Sequence, residues 1–113
     1  MHEMAITRSI IEIVEAEAKE NAFERVLEIS LRVGEFSGLV PDCIEEFFPI
    51  AAAGTKAEGA KLRIEPVKAK FKCLDCDYEG EADRGNHCCK NCGSTAIRMT
   101  AGREFFVENL VVE

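Results

Sequence analysis

The spacing of apolar residues changes period several times along the chain, and each change marks an element. From Met4 to about Ala22, residues Met4, Ile10, Ile11, Ile13, Val14 and Ala18 recur at helical intervals with charges between them, which predicts a helix with one apolar face. In residues 26–33, VLEISLRV, Leu27, Ile29, Leu31 and Val33 alternate with Glu28, Ser30 and Arg32, the period of a half-buried strand. Gly34 and the Ser37-Gly38 pair punctuate the chain. Pro41 suits a first helical turn, and Ile44, Phe47, Phe48, Ala51 and Ala52 carry a second helix up to a stop at Gly54. Pro49 removes one hydrogen bond inside that helix and predicts a kink or an early end. Beyond GTKAEG, Leu62 and Ile64 alternate with Lys61, Arg63 and Glu65. Pro66 then interrupts, and Val67, Ala69 and Phe71 alternate with Lys68, Lys70 and Lys72 on a face shifted by one residue. The apolar tail REFFVENLVVE predicts a strand that returns to the sheet of the first region.

Residues 73 to about 102 break this patterning, holding five of the six Cys and four of the eight Gly with almost no apolar clustering. A segment so poor in core residues needs a metal to order it. The expected fold class is therefore α/β (α+β): a small mixed sheet of about three strands with two helices, and a zinc-ribbon-like module inserted before the last strand. The domains expected are residues 1–70 with 103–113, and residues 71–102. A length of 113 residues, 47% hydrophobic and 31% charged, suits one domain plus such a module. No window approaches the ~18 uninterrupted apolar residues of a membrane span, so no membrane partner is expected. The net charge of −7 has the wrong sign for neutralising a phosphate backbone, so nucleic acid is not an expected partner either. The start MHEMAITRSI lacks the features of a secretory signal, which predicts a cytoplasmic protein whose thiols stay reduced.

In a reducing compartment, paired cysteines point to metal before disulfide. Cys73-Leu-Asp-Cys76 and Cys89-Lys-Asn-Cys92 are two C-x2-C pairs separated by twelve residues, a spacing that lets two tight turns present four thiolates to one tetrahedral ion. Each turn needs a residue that tolerates positive φ after its second Cys, which Asp77 and Gly93 supply. Zinc fits four sulfurs best, and a closed site of this kind contributes on the order of 10 kcal/mol to folding. A redox dithiol would instead be expected at a helix start. Cys88 adjoins Cys89 but does not complete C-x2-C-G, so it reads as a spare thiol. His87 is a possible replacement ligand or a pH-linked neighbour of the site, and Cys43 reads as an inert core residue.

Met1-His2-Glu3 forms a second candidate site. Methionine removal generally requires a small second residue, so Met1 is expected to be retained. The Met1 amine, the His2 backbone nitrogen and the His2 imidazole then close two adjacent chelate rings around one ion, with Glu3 in reach of a fourth position. Nitrogen-rich, square-planar ligand sets select Ni(II) or Cu(II). A helix start leaves its first amides without intrahelical partners, so such an amide can lose its proton to a metal without breaking a backbone bond.

MHEMAITRSIIEIVEAEA, VLEISLRVGEFSGLVPD, GTKAEGAKLRIE and the CLDC and CKNCGS knuckles together resemble the HypA family of hydrogenase maturation nickel chaperones, in order and over essentially the whole chain. The most specific elements are the Met-His-Glu start, the Ser37-Gly38-Leu39-Val40-Pro41 turn and Cys92-Gly93-Ser94. Lys90 stands where many members have Pro, and Cys88 and Pro49 also depart from the pattern. The resemblance implies a nickel-binding α/β domain, residues 1–70 and 103–113, with a zinc-binding domain, residues 71–102, inserted before its last strand. It implies His2 as the essential nickel ligand with Met1 and Glu3 beside it, and Cys73, Cys76, Cys89 and Cys92 as zinc ligands. It also implies a non-enzymatic carrier of Ni(II) with structural Zn(II), partnered by a HypB-like GTPase and the [NiFe]-hydrogenase large subunit precursor, with service to urease a weaker inference. Self-association as a dimer is left open. Two rival readings are a zinc-ribbon module binding nucleic acid through Lys61, Arg63, Lys68, Lys70 and Lys72, and a thiol oxidoreductase. No Ser-His-Asp set, phosphate loop or pair of catalytic carboxylates can be assembled from these residues.

Overall fold

A computed structural model describes residues 3–113. The elements run α1 (Glu3–Asn21), β1 (Val26–Gly34), α2 (Pro41–Ala52), β2 (Lys61–Val67), β3 (Lys70–Cys73), β4 (Glu79–Glu81), β5 (Ile97–Ala101) and β6 (Phe105–Val112). They form two three-stranded sheets, ordered β2-β1-β6 and β4-β3-β5. The chain divides into two compact units. Unit 1 comprises the segment ending at Arg32, Leu39–Glu65 and Phe106–Glu113, and unit 2 comprises Val33–Gly38 and Pro66–Phe105. No helix among the described residues is long and apolar enough to cross a membrane.

In unit 1, β1 and β2 are neighbours in the sheet, with α2 between them in the chain. β6 closes the other side of β1, so a strand from the chain's end joins the sheet begun near its start. Ile10 and Val14 of α1, Ile29 and Leu31 of β1, and Ile44 and Phe48 of α2 are all at most 4% exposed and make up the core. On the other face of β1, Arg32 pairs with Glu65 at 3.6 Å and Glu108 at 2.7 Å, while Glu28 accepts from Arg63. The periodic reading places two residues too deeply: Ile13 and Leu27 are each 40% exposed. Cys43, read as a core residue, is half-buried.

Two prolines lie inside elements that continue past them. α2 runs through Pro49 to Ala52, so the expected early end does not occur. Pro49 and Glu45, four residues before it, are both exposed, which leaves the carbonyl that lost its partner on the wet side of the helix. β2 runs through Pro66 to Val67 because it is an edge strand, where a missing N–H disturbs no ladder on the open side.

In unit 2, β3 lies between β4 and β5, antiparallel to both. Phe71 is 2% exposed, packs with Cys73 and Cys89, and meets Tyr78 with ring centroids 5.9 Å apart. Residues 33–38 belong to this unit through backbone bonds: Gly34 N–H donates to Glu104 O at 2.7 Å, Phe36 N–H to Gly102 O at 2.6 Å and Glu35 N–H to Val67 O at 2.8 Å. Arg84 stacks over the Phe36 ring and donates to Glu35 O.

Candidate metal centre

The four cysteines of the two C-x2-C pairs converge. Cys73 lies at the end of β3, Cys76 in the turn that follows, and Cys89 and Cys92 in the turn before β5. Their sulfurs all fall within 4.8 Å of one another, with Cys73 to Cys92 at 3.6 Å and Cys76 to Cys89 at 3.7 Å. A disulfide requires about 2.0 Å. Four thiolates around zinc at ~2.3 Å stand about 3.8 Å apart along each tetrahedral edge, close to the two shortest spacings here, so a small contraction of the set fits that ion.

Each half of the site is the same backbone device. Asp77 N–H donates to Cys73 O at 3.1 Å and Gly93 N–H to Cys89 O at 2.9 Å, closing two turns whose fifth residues, Asp77 at φ 62° and Gly93 at φ 78°, take the positive φ expected of them. The next residues return the bond: Cys73 N–H donates to Tyr78 O at 2.8 Å and Cys89 N–H to Ser94 O at 2.7 Å. Ser94 also donates its hydroxyl to Asp75, tying the second turn to the first. Neither pair opens a helix, which removes the setting a redox dithiol needs.

Asn91 is a functional side chain that spacing alone does not reveal. Its backbone N–H points to Cys89 Sγ at 3.3 Å and its side-chain amide to Cys76 Sγ at 3.6 Å. That amide, seconded by a backbone bond at Tyr78, lowers the Cys76 thiol to about 7. A backbone bond at Ser94 pulls Cys92 the same way, but desolvation and the three neighbouring sulfurs outweigh it and push Cys92 up to about 12. Four sulfurs this close resist carrying four negative charges together, and a bound divalent cation relieves that conflict. Zinc held by Cys73, Cys76, Cys89 and Cys92 would supply that charge and cross-link both turns. His87 contributes to no such cluster among the described residues, and Cys88 is half-buried with its N–H on Asn86 Oδ1 at 3.0 Å.

Part of the basic stretch weighed for nucleic acid lies beside acidic residues. Lys70 stands opposite Glu81 and Lys72 opposite Glu79 across the β3–β4 ladder, and Arg63 is bound to Glu28.

Of the amino-terminal site, Met1 and His2 lie outside the described residues. Glu3 opens α1 and is 6% exposed, and its Oε1 is buried with no hydrogen-bond partner among the described residues. Thr7 fixes the turn by donating its hydroxyl to Glu3 O at 2.5 Å.

The chain is similar to the hydrogenase maturation factor HypA of Bradyrhizobium sp. (strain ORS 278), with 39% identity over 113 residues and the whole of both chains covered. Its fold matches that in "Solution structure of HypA protein" with a TM-score of 0.76 at 23% identity, covering 100% of this chain and 97% of the other. It also matches the Helicobacter pylori protein in "Solution structure of the Ni metallochaperone HypA from Helicobacter pylori" with a TM-score of 0.71 at 23% identity, covering 99% and 97%. The family model described as "Hydrogenase/urease nickel incorporation, metallochaperone, hypA" matches residues 1–112, and with the four-cysteine centre and the helix-sheet arrangement in place, the chain belongs to the HypA family.

Proposed function

We propose that this chain is a non-enzymatic, cytoplasmic nickel metallochaperone, which takes Ni(II) at Met1, His2 and Glu3 and delivers it for maturation of [NiFe]-hydrogenase. The observation that carries this reading is the Glu3 carboxylate, whose Oε1 is buried at the first turn of α1 without a hydrogen-bond partner among the described residues. A carboxylate oxygen shut away from water without a partner costs free energy, a cost that a cation at the same place offsets. The terminal amine, the His2 amide nitrogen and the His2 imidazole supply the nitrogen donors that favour Ni(II) over Zn(II). Such a site is exchangeable, because a recipient ligand can displace the carboxylate and then open the chelate rings in turn without unfolding the helix. The four-cysteine zinc site has the opposite character, closed and structural. Membership of the HypA family supports the assignment of cargo and destination. The partners that follow are a HypB-like GTPase and the hydrogenase large subunit precursor, the first as companion and the second as recipient.

The test is a nickel titration by calorimetry and absorption spectroscopy on zinc-loaded protein beginning at Met1, beside His2→Ala, Glu3→Ala and a form with residues added before Met1. One-to-one binding with a square-planar absorption band is expected, lost in His2→Ala and in the extended form and weakened in Glu3→Ala, with zinc content unchanged throughout. Nickel binding untouched by all three changes would move the site elsewhere and sink the reading.

A further inference from the structure

From the geometry of β6 and α1 we infer a docking groove for an extended, apolar and basic segment of another protein, which adds as a fourth strand beside β6. The two outer strands of the β2-β1-β6 sheet are defended differently. β2 carries Lys61 and Pro66, residues that discourage a further strand, whereas β6 reads FFVENLVV with neither Lys nor Pro. On its outer side β6 has no strand partner among the described residues. Phe106, Val111 and Val112 are 46%, 44% and 41% exposed, more than sheet packing alone requires of three large side chains in one strand.

A groove of about 360 Å³ runs between this strand and α1, floored by Ile13, Phe23, Val107, Leu110 and Val112. Ile13, which helical periodicity assigns to the core, is therefore part of the groove wall. The rim is Glu17 and Asn21 from α1 with Asn109 and Glu108 from β6, the last already paired with Arg32, so the Glu17 carboxylate gives the rim its acidic character. The charge around it has the same sign. Unit 1 contains 14 Asp and Glu against seven Lys and Arg, the whole of the net −7, while unit 2 contains seven of each. A second copy brings the same −7 and the same acidic rim to this edge, so like charges oppose self-pairing. A strand whose apolar residues alternate with Lys or Arg is complementary on both counts: backbone bonds to the open edge, apolar side chains into the groove, cations to its rim.

The probe is a blocked peptide of about eight residues alternating Val and Lys, the length of a typical strand. It is added at low salt to the zinc-loaded full chain and followed by amide NMR and hydrogen exchange. Expected are shifts confined to β6 and the facing residues of α1, and new exchange protection at β6 amides. Affinity should fall roughly tenfold or more when the peptide's Lys are replaced by Glu, and comparably in protein carrying Glu17→Lys together with Val112→Lys. A peptide N-methylated at alternate amides should not bind. Three results would overturn the proposal: no perturbation of β6, equal binding of the acidic peptide, or sedimentation showing that the protein alone dimerises with β6 already protected.

Discussion

At the scale of single residues, the centre's chemistry is set by neighbours as much as by ligands. Asn91 is the first cause of the low Cys76 thiol, so in the zinc-loaded protein, where the fold holds the two together, Asn91→Ala should make Cys76 easier to protonate and raise the pH at which acid releases zinc. Zinc release followed with a chromogenic chelator against pH checks this. The sign of the accompanying stability follows. A thiol depressed from 9.0 to about 7 contributes stability that is full above pH 9 and is lost as pH falls through 7. Asn91→Ala should flatten that dependence. Glu3 poses the converse case. Replacing the carboxylate, whose Oε1 is buried without a partner among the described residues, with an apolar side chain, as in Glu3→Leu, removes a desolvation cost and should raise the stability of the nickel-free protein by about 1 kcal/mol while weakening nickel binding, read by thermal melts with and without the ion. Both knuckle positions of positive φ, Asp77 and Gly93, were legible in the sequence because C-x2-C turns demand them. Asn91 was not, since nothing in its spacing distinguishes a thiolate donor from any loop amide.

At the scale of elements, periodicity located both helices and β1 because each buries one face continuously, whereas β6, none of whose residues is buried, was legible through its apolar, Val- and Phe-rich composition. It failed where burial is not what holds an element. β4 is three residues long and is defined by pairing with β3, and segment 33–38 is held to residues 67 and 102–104 by backbone bonds that side-chain pattern does not encode. Gly34 and Gly102 are what make that second attachment possible. A Cβ on Gly34 would sit 2.2 Å from Gly102 O, and one on Gly102, at φ 118°, would sit 2.6 Å from Ala69 Cα. Neither neighbour is a flexible side-chain end, so Gly34→Ala and Gly102→Ala should each cost about 2–4 kcal/mol, measured by denaturant unfolding of the zinc-loaded protein. The start of α2 runs the other way. Val40 is its N-cap, extended at φ −105° and ψ 111°, and offers no side-chain bond to the first turn. Val40→Thr keeps the shape and adds a hydroxyl, and a gain of about 0.5–1 kcal/mol in the same unfolding experiment is expected.

At the scale of the whole molecule, the two units are built on different physics. Unit 1 has an apolar core drawn from both helices and β1, and it holds all of the net charge. Unit 2 buries Phe71, Cys73 and Cys89 as its cluster, with Cys76, Ala82 and Ile97 partly buried against it, so half of its core residues are also ligand candidates. Ordering some 40 residues costs tens of kcal/mol in conformational entropy, far beyond what one Phe and a few small side chains return, and the ion must contribute on the order of 10 kcal/mol. Removing zinc should therefore uncouple the units. With a strong chelator at neutral pH, exchange protection and amide dispersion are expected to collapse over β3, β4 and β5 and persist over α1, β1 and α2. Acid should act in the same direction, because the thiolates must be protonated as the ion leaves. Loss of structure across both units at the same chelator concentration would show instead that the core of Ile10, Val14, Ile29 and Ile44 does not suffice alone. The division of charge gives an independent check on the same separation. Salt screens repulsion among unlike numbers of acids and bases in unit 1 but finds no net charge to screen in the metal-free unit 2, so added salt should raise the stability of the surviving unit after chelation.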